Sequence, residues 1–134
     1  MAHRASQAYR GAAVTVPPLK AVIMLLNGAI SSLQKSLLAQ EAKRFEEGFQ
    51  QLTRATAILR GLSYHLDFER GGALAEQLFK TYNSLIMACL RSFGKPQADQ
   101  HYRRIIAGLS ELREAWEFVD GTATAKGAVK ESAK

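Results

Sequence analysis

The sequence contains a single cysteine, Cys89, among its 134 residues. An intramolecular disulfide framework is therefore excluded, which fits a reducing, cytoplasmic setting. Long apolar runs are also missing: the longest, from Ala21 to Leu26, is far shorter than the roughly 20 residues that span a bilayer. The first residues do not resemble a secretory signal. We therefore expect a cytoplasmic protein without membrane insertion.

Groups that carry catalysis or hold metal ions are scarce as well. The three histidines lie far apart in sequence, and no two have a metal-ligand spacing. No paired Glu-x-x-His pattern of the di-iron bundles is present. Cys89 falls on an apolar stripe, so we interpret it as a buried small hydrophobe and not as a nucleophile. The sequence predicts no enzyme activity and no cofactor.

The net charge is +6, from 18 Lys and Arg against 12 Asp and Glu. Only Lys43-Arg44 and Arg103-Arg104 are adjacent basic pairs, and aromatic residues of the stacking kind do not accompany them. Solvated helix faces explain this distribution better than nucleic-acid binding does. A small basic helical bundle with a structural or nucleic-acid-associated role remains the alternative function.

Apolar residues recur at steps of three and four over four segments, which is typical of amphipathic helices. The first helix carries its apolar stripe on Leu19, Ile23, Leu26, Ile30, Leu33 and Leu37. The apolar residues of the next segment continue in the same helical phase to Leu66. A single helix over both segments would be about 70 Å long, which is improbable for a small domain, so we infer a break near residues 40 to 44 from size alone. Further breaks are predicted at Gly71-Gly72 and between Gly94 and Pro96.

The pattern predicts an all-α fold, an antiparallel four-helix bundle over residues 17–120. A flexible N-terminal arm, residues 1–16, precedes the bundle, and a disordered tail, residues 121–134, follows it. Tyr9 is the only large aromatic residue among the first 44, on a segment with too little apolar surface to fold alone. We hypothesise that it docks on an apolar groove of the bundle.

The third helix carries two apolar stripes, one through Leu78 and Tyr82 and a second through Phe79, Ile86 and Leu90. Such a helix needs two neighbours in the bundle, or one neighbour and an external partner. A groove that accepts an amphipathic segment would use this surplus apolar surface. The alternative, that all of it is core, stays open.

Four stretches together resemble the FliS family of flagellar secretion chaperones. In order, they are Ala8-Tyr9 with Val14, Ile23–Ile30, Leu66–Leu78 with Tyr82, and Leu112–Trp116. The central Leu-Asp-x-x-x-Gly-Gly-x-Leu-Ala motif followed by Leu-Arg-x-Ala-Trp is specific in combination. The loop before the second helix departs from the family in lacking its Asn/Gly-Asp turn.

The resemblance implies a cytoplasmic chaperone that binds the disordered C-terminal segment of flagellin in apolar grooves and prevents premature polymerisation. It also implies delivery of flagellin to the flagellar export gate, with the arm around Ala8-Tyr9 covering part of the groove in the free protein. A monomer or weak dimer is expected. The residues selected as groove or flagellin contacts are Tyr9, Leu25, Phe79, Tyr82, Ile86, Leu90 and Ile106.

Overall fold

The structure, a computed structural model, describes residues 8–9 and 18–121. This part of the chain forms four α-helices: α1 Pro18–Glu41, α2 Phe45–Tyr64, α3 Phe68–Ser92 and α4 Ala98–Asp120. Apart from Ala8, Tyr9 and Gly121, the predicted arm and tail lie outside the described residues.

Neighbouring helices of the bundle run antiparallel. Along the α1–α4 pair, Arg113 Nη1 donates to Asn27 Oδ1 at 3.1 Å, and Arg103 Nη2 lies 3.9 Å from Glu41 Oε2. Residue numbers thus rise along α1 as they fall along α4. Both α1 and α3 pack against α2 and α4, and the diagonal pairs do not meet among the described residues. The predicted antiparallel four-helix bundle is confirmed.

The centre of the bundle is formed by the apolar stripes that the sequence periodicity indicated. All six members of the α1 stripe are buried: Leu19, Ile23, Leu26, Ile30, Leu33 and Leu37. The segment Leu19–Glu41 is long and apolar enough to span a membrane by length and composition, with a mean hydropathy of 1.3 over an 18-residue window. Core helices pass the same test, and the buried stripe shows that α1 supplies much of the core.

The turn between α1 and α2 lies at residues 42–44, within the range inferred from size. The Lys43 N–H donates to the Gln40 carbonyl at 3.0 Å, and the Arg44 N–H donates to the Ala39 carbonyl at 2.8 Å. This pair of bonds is a Schellman motif, in which the residue after the helix adopts a left-handed conformation. Lys43 occupies that position with φ 64°. Glycine usually stands there, and its absence hides the helix end from the sequence pattern.

The connection between α2 and α3 differs from the prediction of a single break at Gly71-Gly72. The chain leaves α2 after Tyr64, and Asp67 caps α3 by accepting a bond from the Arg70 N–H at 3.0 Å. One helical turn follows, and Gly72, at φ 52° and ψ −129°, then kinks the helix before it continues to Ser92. The two glycines therefore bend α3 near its start and do not separate α2 from α3.

Candidate functional site

Ala8 and Tyr9 dock on the bundle, and both are fully buried. The Tyr9 hydroxyl is hydrogen-bonded to the Tyr82 hydroxyl of α3. The Tyr9 ring meets the Trp116 ring of α4 edge to face, with centroids 6.4 Å apart and planes at 88°. We call the surface formed by Tyr82 and Trp116 the tyrosine pocket. It holds a short segment through one aromatic side chain.

The start of α3 supplies the backbone contacts of the docked dipeptide. The Asp67 N–H donates to the Ala8 carbonyl at 2.8 Å, while the Asp67 side chain caps the helix. Gly71 lies directly beneath: a Cβ there would come within 3.0 Å of the Ala8 Cα and 2.8 Å of the Ala75 Cβ. A glycine at position 71 therefore lets the two backbones approach closely.

The two paired tyrosines are kept neutral by their surroundings. Burial raises the pKa of Tyr82 to about 12, although the neighbouring Tyr9 hydroxyl and Trp116 indole act in the opposite direction. The pKa of Tyr9 is raised further, first by burial and then by the proximity of Tyr82. The Trp116 indole lies near the Tyr82 hydroxyl, but its Nε1 forms no hydrogen bond of normal geometry within the described part of the chain. The Trp116 indole is thus a second donor close to the Tyr82 hydroxyl.

A second apolar surface follows the side of α3 that meets α2. Its members recur at helical spacing: Phe79, Asn83, Ile86, Leu90 and Phe93. We call this surface the α3 face. Phe79 is 43% exposed and Leu90 39% exposed, whereas Ile86 between them is buried. The face is thus only partly covered by the bundle itself.

Aromatic residues extend the α3 face at both ends. At one end the Phe79 ring packs against the Phe68 ring, with centroids 5.6 Å apart. At the other, the Phe93 ring meets Phe45 and Phe49 of α2 at 6.3 and 5.5 Å. Phe45 and Phe49 stand in helical phase with the buried Leu52, yet they are 42% and 52% exposed. The exposed apolar surface therefore extends across the α2–α3 pair.

The seven residues selected from the sequence fall into separate places. Tyr9 and Tyr82 meet in the tyrosine pocket, and Phe79, Ile86 and Leu90 share the α3 face. Leu25 is 42% exposed on α1. Ile106 is half-buried and lines a groove of about 460 Å³ between α1 and α4, beside the exposed Leu38. Their role as client contacts stays a prediction.

Sequence reasoning did not identify Asp67, Gly71 and Trp116 as parts of the pocket that holds Tyr9. A signal was nevertheless present, because these residues lie in the stretches that carry the family resemblance. Stretches far apart in sequence converge here on one surface. No group of three or more His, Cys, Asp or Glu side chains that could hold a metal ion occurs within residues 8–9 and 18–121.

Comparison with known proteins agrees with this arrangement. The family model described as flagellar protein FliS matches residues 1–123. The chain is also 29% identical over 114 residues to the flagellar secretion chaperone FliS of Salmonella typhimurium, a match that covers 84% of each protein. The chain belongs to the FliS family.

Proposed function

We propose that this protein is a cytoplasmic export chaperone that binds the disordered C-terminal segment of flagellin. It prevents premature polymerisation of flagellin and assists its delivery to the flagellar export apparatus. The free chaperone is a monomer or weak dimer, and the export gate is a second partner. Membership of the FliS family supports the general role, and the docked Ala8-Tyr9 dipeptide supports the binding mode.

The docked Ala8-Tyr9 dipeptide carries the proposal, because it supports a binding mode in which the bundle holds a short segment through one anchor residue. One aromatic side chain enters the tyrosine pocket, and one backbone carbonyl, that of Ala8, accepts a bond from Asp67. Burying one aromatic side chain yields up to about 3 kcal/mol before ordering costs are subtracted. A client segment with its own apolar anchor residues can compete with a docking free energy this small.

The Trp116 indole N–H close to the Tyr82 hydroxyl lowers the cost of that exchange. When Tyr9 leaves, the Tyr82 hydroxyl loses its partner, and the nearby Trp116 N–H becomes available to it. A buried polar group without a partner costs about 1–3 kcal/mol, so this rearrangement removes part of the penalty of release.

The α3 face supplies area that the pocket alone lacks. Phe79 and Leu90 are large and partly exposed on one side of a helix. An amphipathic client helix presents apolar residues at matching spacing and can cover such a face. Binding a disordered chain over a broad surface leaves only moderate net affinity, because the client's ordering entropy opposes it. Moderate affinity suits a client that must later be released.

A polymerisation assay tests the proposal. Purified flagellin is induced to assemble, and light scattering is followed with one equivalent of chaperone present. We expect the wild-type chain to suppress assembly and Phe79→Ala/Leu90→Ala to lose most of this effect. The matched control Met24→Ala/Tyr64→Ala removes residues that are 66% and 85% exposed elsewhere on the bundle, and it should behave as wild type. Full assembly in the presence of wild-type chaperone would contradict the proposal.

A further inference from the structure

The charge of this protein is distributed very unevenly along the chain. From Gln77 to Ser110 the only acidic residue is Asp99, whereas five basic residues occur there: Lys80, Arg91, Lys95, Arg103 and Arg104. Five positive charges and one negative charge give +4, most of the chain's net +6. This segment forms most of α3 and the first half of α4, whereas the rest of α4 is acidic, so the positive charge lies toward the end of the bundle where α3 is joined to α4.

The α3–α4 pair forms an open cavity that two of these basic residues, Arg91 and Lys95, line. It has a volume of about 620 Å³, lies where α3 ends and α4 begins, and is open to solvent. Arg91, Lys95 and His101 are its charged or ionisable lining residues, together with Ala88, Ser92, Pro96 and Gln97. No Asp or Glu lines it. Arg104 follows His101 by one turn of α4, so it lies on the same side of the helix.

Arg91, Lys95 and Arg104 make no ion pair within the described part of the chain. The four ion pairs found there involve Arg44, Arg70, Arg103 and Arg113 instead. Arg91 and Lys95 are exposed, and His101 is half-buried. Two cations, Arg91 and Lys95, in a cavity lining without a carboxylate give a positive local potential, which attracts an anionic group from another molecule.

The surroundings favour an acidic protein segment over a nucleic acid. No Phe, Tyr or Trp lines the cavity, so it lacks the large aromatic side chains on which single-stranded bases usually stack. The exposed apolar residue Met87 lies one turn before Arg91 on α3 and is 46% exposed. Apolar and cationic groups side by side match a peptide that carries carboxylates beside apolar residues.

We propose that the cavity lined by Arg91, Lys95 and His101 binds carboxylate side chains of an acidic protein segment. This contact surface lies on the α3–α4 side, apart from the tyrosine pocket and from the α2 side of α3. It adds a charge-dependent contact that the apolar surfaces do not supply, and its binding weakens as salt rises.

The test maps backbone amide shifts of the full chain by NMR during titration with a ten-residue poly-L-glutamate peptide at low salt. We expect saturable shifts centred on Arg91, Lys95 and His101. Arg91→Gln/Lys95→Gln should weaken binding about tenfold, because two exposed charge contacts are lost. The control Arg54→Gln/Arg60→Gln removes the same charge from exposed positions of α2 and should change affinity less than about twofold.

Three results would overturn the proposal. Equal weakening by both double variants would show that only net charge matters. Tighter binding of a ten-nucleotide oligo-dT at the same residues would assign the cavity to nucleic acid. Shifts of these amides by inorganic phosphate at lower concentration than the peptide would assign it to a free anion. None of these outcomes depends on flagellin, so the proposed chaperone function is tested separately.

Discussion

Replacing Gly71 with alanine should release Ala8 and Tyr9 from the bundle while the four helices stay folded. The added Cβ would lie 3.0 Å from the Ala8 Cα and 2.8 Å from the Ala75 Cβ, closer than packed carbon atoms approach. The contact with Ala75 requires a small shift within α3 itself, whereas the contact with the Ala8 backbone is relieved by release of the docked dipeptide. The substitution thus tests whether this glycine exists to admit Ala8.

The loss of stability is limited to the free energy of docking. Burial of the Tyr9 side chain yields up to about 3 kcal/mol, and its hydroxyl bond and the Ala8 carbonyl bond add about 1 kcal/mol each. Ordering two residues costs about 2–4 kcal/mol, which leaves a net of roughly 1–3 kcal/mol. We expect Gly71→Ala to lower the free energy of unfolding by about 1–3 kcal/mol, no more than the low end of the roughly 3–5 kcal/mol for truncating an aromatic in a bundle core.

The single tryptophan, Trp116, provides the assay. Its ring is 5% exposed beneath Tyr9, so release of the dipeptide should shift its fluorescence emission to longer wavelength. Circular dichroism should show unchanged helix content. Gly61→Ala is the matched control, because a Cβ at that helical position meets nothing within 4 Å. It should leave the emission unchanged and raise stability by about 0.5–1 kcal/mol. Emission of Gly71→Ala identical to wild type would refute the reasoning.

Three further predictions concern single groups. Cys89→Ala should lower the free energy of unfolding by about 1 kcal/mol and leave client binding intact, since the side chain is buried and Tyr102 bonds only its backbone carbonyl. Burial raises the pKa of the thiol to about 12, so fast labelling of the native protein by a thiol reagent would contradict this placement. The free energy of Tyr9 docking should be constant below pH 9 and should fall above about pH 10 by about 1.4 kcal/mol per pH unit. The reason is that the released phenol ionises at its ordinary pKa, whereas the docked phenol stays neutral. Trp116 emission that does not change up to pH 11 would disprove this. Lys43→Gly should raise the free energy of unfolding by up to about 1 kcal/mol by relieving its left-handed conformation, and a lower urea midpoint would argue against that strain.

The helices could be predicted because burial on one side imposes a period that survives in the residue order. Every member of the α1 stripe is buried. The ends of the helices were harder to predict, because the cap that ends a helix depends on one residue and leaves no periodic pattern. Lys43 ends α1 in the left-handed conformation that glycine usually adopts, so the sequence of the α1–α2 turn contains no glycine or proline that would indicate it. Asp67 caps the start of α3, whereas the sequence pattern placed the break at the glycine pair, which only kinks the helix.

The site could be predicted less completely, since periodicity shows which face of a helix is buried but not which distant residues meet there. The contact of Tyr9 with Tyr82 joins residues 73 positions apart. Phe45 and Phe49 continued the helical phase of α2 into its first turn, yet the end of the bundle leaves them partly exposed. Only the three-dimensional arrangement separates the tyrosine pocket from the α3 face.

Calorimetric titration of the full chain, and of a variant lacking residues 1–15, with the C-terminal segment of flagellin tests the central claim most directly. The account predicts a stoichiometric complex with a negative heat-capacity change from apolar burial. Without Tyr9 the affinity should be equal or higher, because a competitor for the pocket is gone. Absence of heat from the full chain at tens of micromolar, where a groove interaction should register, would contradict flagellin binding. A truncated chain that stays helical but loses the client would show that Tyr9 belongs to the client site.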